Sequence, residues 1–309
     1  MMDRNFYEGM NFSESIRYSQ DKWCEAVREH ENRIDSFVEG HLRRRSQHRK
    51  DPISDFIFEY YNFAPAQLRR WSPGAGIVLV GRSARRFLEQ KEFEKTSEGV
   101  RLSPRRFPAQ LWKSTLWIRD LLVAVQQRTP QFGCAGMHEW AMVYGTDQVR
   151  HAGTPLRLER HEINEVVHNN VLSCTHFDAF RFFTKGARSQ NAIFLRREDM
   201  FSSEQPGCLH TNMDIFKWAF KRYPWIPSDL IADAFFLANK IREVDMRASP
   251  YDLSSAGLQP IPVETPEGRR QYRSYQRTFF EEARTLRARL IKAYDLLLVF
   301  IREPSLELV

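Results

Sequence analysis

Three of the four cysteines stand close to a histidine in the chain: Cys134 with His138, Cys174 with His176, and Cys208 with His210. Thiolate and imidazole are the usual ligands of zinc and of iron, so these pairs could in principle supply a metal centre. No Cys-x2-Cys occurs, however, and the spacing matches no standard zinc module. His161, Glu165 and His168 lie at i, i+4 and i+7, so on a helix they would share one face. A carboxylate-bridged di-iron bundle needs a second Glu-x-x-His, and Glu165–His168 is the one copy in the sequence. Metal-free chemistry is the other route. Glu139 and Asp178 each neighbour a histidine, His138 and His176, among aromatic residues. Apolar surroundings raise a carboxylate pKa and a cationic neighbour lowers it, so either acid could orient water or stabilise a developing cation. Trp140, Tyr144 and Phe180 could stack a flat ring. Arg181, His151, His210, Tyr251 and Asp252 complete the candidate substrate contacts. The plainer alternative is that these residues are core aromatics and buried ties. A serine hydrolase is excluded, because no Gly-x-Ser-x-Gly is present.

The elements that must carry these side chains read as mainly helical. Trp23, Val27, Ile34, Phe37 and Val38 recur at helical spacing through residues 20–48. Leu111, Trp112, Leu116, Ile118, Leu122 and Val125 form a second stripe, and Ile226, Leu230, Ala234, Leu237 and Ile241 a third, with Ser228 as its expected N-cap. The clearest helix is the last. Thr265 caps it, Pro266 opens it, and an apolar stripe runs from Tyr272 to Ile301. Pro73–Gly76 breaks the chain before Ile77–Val80, which is β-branched and strand-like. A small β hairpin insertion is therefore expected near residues 77–102. Residues 1–19 read as an N-terminal tail, and residues 20–309 as a single mainly α domain.

The 309 residues carry 46 Lys and Arg against 39 Asp and Glu, with 42% hydrophobic and 13% aromatic side chains. That is an ordinary globular composition, with neither the charge bias of a disordered chain nor the apolar run of a membrane span. Four cysteines in this length make no disulfide framework, and the first ten residues lack a secretory apolar stretch, so a cytoplasmic protein is expected. The charge is uneven. Residues 41–128 hold 18 basic and 8 acidic side chains. Arg43, Arg44, Arg45, Arg69 and Arg70 are the densest part and the candidate nucleic-acid contacts, since such a field attracts polyanions.

Several segments resemble a bacterial family usually labelled 3-methyladenine DNA glycosylase. They are Phe132-Gly-Cys-Ala-Gly-Met-His-Glu-Trp-Ala-Met-Val-Tyr144, Cys174-Thr-His-Phe-Asp-Ala-Phe-Arg-Phe-Phe-Thr184, Glu204-Gln-Pro-Gly-Cys-Leu-His210 and Asp245-Met-Arg-Ala-Ser-Pro-Tyr-Asp252. Asp55–Tyr61 and Leu68–Gly74 are similar to the same family, so the likeness spans most of the chain. It implies hydrolysis of the N-glycosidic bond of an alkylated purine in DNA. A flipped base would lie among the aromatics near Trp140 and Phe180. Asp178, Glu139, His138 and His176 would then be the catalytic group, with no metal or other cofactor. Two alternatives stand beside it. One is an iron- or zinc-dependent enzyme acting on a small molecule or nucleoside through the central His/Cys/Glu cluster. The other is a nucleic-acid-binding protein without catalysis.

Overall fold

A computed structural model describes residues 16–147, 149 and 153–302. The chain is mainly α with a small sheet. Twelve α-helices are described: α1 Gln20–Ser46, α2 Phe56–Tyr61, α3 Pro65–Arg69, α4 Trp112–Gln127, α5 Met137–Ala141 and α6 Arg160–His168, followed by α7 Phe177–Phe180, α8 Lys185–Arg188, α9 Met200–Ser203, α10 Leu209–Phe220, α11 Ser228–Arg247 and α12 Pro266–Phe300. Among the described residues no helix is long and apolar enough to cross a membrane.

The core is a bundle in which α10 packs against α11 and α12, and α12 against α4. Every residue of α10 is buried, so this helix forms the axis of the molecule. Around it α12 wraps the apolar stripe read from the sequence: Tyr272, Phe279, Ala283, Leu286, Leu290 and Leu297 are all buried. Its start is well specified. The Thr265 hydroxyl accepts the N–H of Gly268 at 3.0 Å, and Pro266 occupies the first turn. Only glycine fits at 268, where a Cβ would lie 2.0 Å from the Pro262 carbonyl oxygen.

Three expectations change. Residues 16–18, read as part of a tail, form strand β1 (Ile16–Tyr18), and Ser19 caps α1 by accepting the N–H of Lys22. β1 pairs in parallel with β2 (Ile77–Leu79), with Arg17 opposite Val78. β3 (Phe93–Lys95) and β4 (Val100–Leu102) complete a mixed sheet of order β1-β2-β4-β3, so the insertion is more than a hairpin. Trp23 seals α1 to the sheet by donating to the Val80 carbonyl at 2.9 Å. Ser228 is the first residue of α11 and not its cap. Its hydroxyl instead accepts the N–H of Ser72 at 2.8 Å and ties the loop before β2 to the bundle.

Candidate functional site

The central helix buries ionisable groups along one face. His210, Asp214 and Lys217 lie at i, i+4 and i+7 of α10, on one face, and all three are buried. Four further elements bring partners to that face. His138 comes from α5, Asp245 from the last turns of α11, and His176 caps α7. Glu204 sits at the end of α9. The result is two adjacent buried triads, His138–His210–Asp245 and His176–Glu204–Asp214, each with three ligand atoms within 4.8 Å of one another. The His176 and His210 rings, 5.3 Å apart, join them.

In the first triad the His138 and His210 rings meet edge to face at 4.4 Å. His138 Nε2 and Asp245 Oδ1 stand 2.8 Å apart as an ion pair. Both are completely enclosed. The groups behind them are fixed. Cys134 Sγ lies 3.9 Å from His138 Nδ1, and Arg242 Nη1 reaches Asp245 Oδ2 at 3.4 Å and Glu139 Oε1 at 2.7 Å. The Arg242 guanidinium also lies 3.6 Å over the Phe56 ring. Burial opposes a charge on His138, but the Asp245 carboxylate outweighs it and holds the imidazole well above its usual range. Although burial alone would raise it, His138 and Arg242 hold Asp245 far below the carboxylate range. Burial, reinforced by His138, keeps His210 a neutral base.

The second triad is differently satisfied. Asp214 Oδ2 accepts from Lys217 Nζ at 2.6 Å and lies 3.2 Å from His176 Nε2, while Oδ1 accepts the Tyr61 hydroxyl at 2.7 Å. His176 Nδ1 accepts the N–H of Ala179 at 3.2 Å, which puts the ring proton on Nε2 toward Asp214. Glu204 Oε1 has no hydrogen-bond partner among the described residues and lies 3.7 Å from His176 Nε2. Burial, with the Asp214 carboxylate adding to it, pushes the Glu204 carboxyl up to about 7.

A cavity of about 80 Å³ adjoins the first triad. His138 and His210 reach it beside Cys134, Cys174 and Cys208, with Gln131 and Gln205 supplying amides. Burial pushes the Cys208 thiol up to about 12 and the Cys174 thiol upward too, the neighbouring sulfurs adding to both, so these two stay protonated. The walls are joined at Gly207, where a Cβ would meet the Gln131 carbonyl oxygen at 2.4 Å. Gln205 completes the seam by accepting the N–H groups of Gln131 and Gly207 at 2.8 and 2.7 Å.

The residues read from the sequence thus separate into groups. His138, His176 and His210 converge, and Glu139 supports them from behind through Arg242. Asp178 lies one step out, bridging Lys217 at 2.9 Å and Arg181 at 3.4 Å. Trp140, Phe180 and Tyr251, expected to hold substrate, are enclosed in the core with no free face. The Trp140 indole donates to the Ala248 carbonyl at 2.9 Å, and Phe180 packs on Phe183 and Phe194. Tyr144 is half-buried beside Gly186. Asp252 shapes a turn by accepting the N–H of Ser254 at 2.8 Å. His151 lies outside the described residues. His161, Glu165 and His168 are all on the exposed face of α6 and gather no further ligand among the described residues. The Cys–His pairs are not joint ligand sets: among the described residues neither triad includes a thiol.

The basic residues are also divided. Arg44 is clamped on the buried Asp55 at 2.6 Å, with His41 at 2.9 Å on the same carboxylate. Arg69 pairs with Asp35 at 2.8 Å, while Arg43, Arg45 and Arg70 are exposed. Asp35 and Arg43 are separated by roughly 12 Å along α1. Although burial alone would raise it, Arg44, the Asp51 N–H and His41 hold the Asp55 carboxyl below its ordinary range. A lowered folded-state pKa contributes stability above the unfolded value near 4, lost as pH falls through the folded one. Asp55→Asn should therefore lower stability at pH 7 by about 2–3 kcal/mol and flatten its decline between roughly pH 5 and 3. Urea titrations across that range measure both effects.

Sequence reading missed Asp214, Lys217 and Arg242 as functional residues. The signal was present as a His, an Asp and a Lys at i, i+4 and i+7, and as Arg242 one turn before Asp245. Glu204 and Asp245 stood inside quoted segments without a role. No protein-family model matches the chain, and neither the curated proteins nor the solved structures contain a match to it.

Proposed function

We propose that this protein is a metal-dependent enzyme with a single zinc or iron ion held by His138, His210 and Asp245, acting on a small uncharged molecule. The observation that carries this reading is the enclosed convergence of His138, His210 and Asp245, whose ligand atoms lie within 4.8 Å of one another, with His210 a neutral base. Two imidazoles and one carboxylate form a ligand set common to catalytic zinc and to non-haem ferrous sites. Ligands about 2.0–2.1 Å from zinc in a tetrahedron lie roughly 3.3 Å apart, so within this triad His138 Nε2 and Asp245 Oδ1, now 2.8 Å apart, would separate by about 0.5 Å to admit the ion. When bound, such an ion supplies Lewis acidity and acidifies a coordinated water.

The chain's own groups would then act around it. Arg242 holds Asp245 Oδ2, which leaves Oδ1 for the metal. The Cys134 thiol sits at the back of His138 and sets its ring orientation. The cavity lies far below the roughly 300–1,000 Å³ of pockets that enclose drug-sized ligands. Its amides, hydroxyls and protonated thiols suit a small neutral substrate. Elemental analysis of the purified, untagged protein tests the reading. One zinc or iron per chain is expected, lost in His210→Ala. Wild-type protein that stays free of metal after incubation with Zn²⁺ and with Fe²⁺ overturns it.

One observation favours a second reading, base removal from alkylated DNA. Phe194 is 67% exposed, packs against Phe180 and is followed closely by the exposed Arg196 and Arg197. An exposed aromatic beside arginines suits insertion into a base stack. Release of 3-methyladenine from methylated DNA, assayed with the loaded protein, separates the two substrates.

A further inference from the structure

We infer that Asp214, Glu204 and His176 form a second cation position, and that the Lys217 ammonium, by holding Asp214 Oδ2, closes it and limits this centre to one metal ion. Two ions close together are a common catalytic arrangement, held by paired sets of carboxylates and imidazoles. The second triad has the ligand types and the spacing for such an ion. Its position beside the first is set by the His176–His210 ring contact at 5.3 Å. Lys217 Nζ is surrounded as a bound cation would be: Asp214 Oδ2 at 2.6 Å, Asp178 Oδ2 at 2.9 Å, and the Trp218 ring face at 4.2 Å. Tyr61 fixes the other oxygen of Asp214 from outside, as an outer-shell partner of a ligand does.

An independent observation points to a cation here. Glu204 Oε1 is enclosed, has no hydrogen-bond partner among the described residues, and faces His176 Nε2. A carboxylate oxygen in that state offers a ligand site that the single ammonium leaves unused. The α7 cap is no obstacle to a ligating His176. The Ala179 N–H also reaches the His176 carbonyl at 3.2 Å, so Nδ1 can give up its capping contact and take the ring proton. The Lys217 ammonium is enclosed between the Asp214 and Asp178 carboxylates. It therefore repels any second ion at neutral pH.

The test is metal stoichiometry, which does not depend on turnover. Resting on the metal-centre reading above, wild-type protein should hold one ion per chain. Lys217→Ala should hold two after equilibration with Zn²⁺ or Mn²⁺, and the double variant Lys217→Ala/Glu204→Gln should return to one. Lys217→Gln keeps a donor for Asp214 and serves if the alanine variant does not fold. It should also gain an ion. Two ions in the wild type, or one in both lysine variants, overturn the inference and leave the first site standing. No ion in the wild type but one in Lys217→Gln, lost with Glu204→Gln, removes the metal-centre reading and keeps this one.

Discussion

Asp245→Asn is expected to weaken zinc binding by at least about 100-fold while the fold survives. Changes to groups that only support a ligand cost 10–100-fold in affinity, and Asp245 is proposed as a ligand itself. The amide has the shape of the carboxylate, so packing at the end of α11 is preserved and Arg242 keeps an oxygen to contact. What disappears is the negative charge that draws the metal. Competition with a chromogenic chelator reads the affinity, and circular dichroism checks the fold. Asp178→Asn is the control: that carboxylate pairs with Lys217 and Arg181, away from the first triad, and its loss should leave zinc affinity within a few fold. Stoichiometric, tight zinc in Asp245→Asn would mean that the carboxylate is only an ionic partner of His138.

Arg242→Met should cost about 3–5 kcal/mol of stability, read by urea denaturation. Its side chain is fully enclosed and neutralises Glu139 at 2.7 Å and Asp245 at 3.4 Å. Removing one member of a buried ionic group leaves the others uncompensated, which is the costly case. Methionine fills the volume beneath Phe56, so lost packing contributes little. Arg43→Ala, at the exposed end of α1, should stay within about 0.5 kcal/mol. Adding Glu139→Gln to Arg242→Met should recover part of the loss, because one stranded charge is removed. A decrease below about 1 kcal/mol in the single variant would show that water reaches this network.

Much of the scaffold was readable from residue periodicity. The stripe from Tyr272 to Leu297 predicts α12, and the cap at Thr265 its start. β1 was not readable. A three-residue strand has no period to detect, and its partner Ile77–Leu79 lies some sixty residues on. The site was legible as a density of imidazole, thiol and acid, but its pairings were not. His138 meets Asp245 across more than a hundred residues, a separation no local spacing encodes. Adjacent Cys–His pairs suggested joint ligands. Instead Cys134 faces the nitrogen of His138 that points away from Asp245. Aromatic residues beside the acids suggested a stacking pocket, yet Trp140 and Phe180 are core, since large rings fill a bundle of this size as readily as they line a cleft.

The all-buried helix α10 has a consequence for how this chain can change. It presents His210 to one triad and Asp214 and Lys217 to the other, as marks on a ruler. One residue inserted between positions 210 and 214 would swing everything after it by about 100° and shift it about 1.5 Å. Both centres would then lose register together. Length variation along this segment should be forbidden in any descendant that keeps the chemistry, whereas the surface loops are free to lengthen.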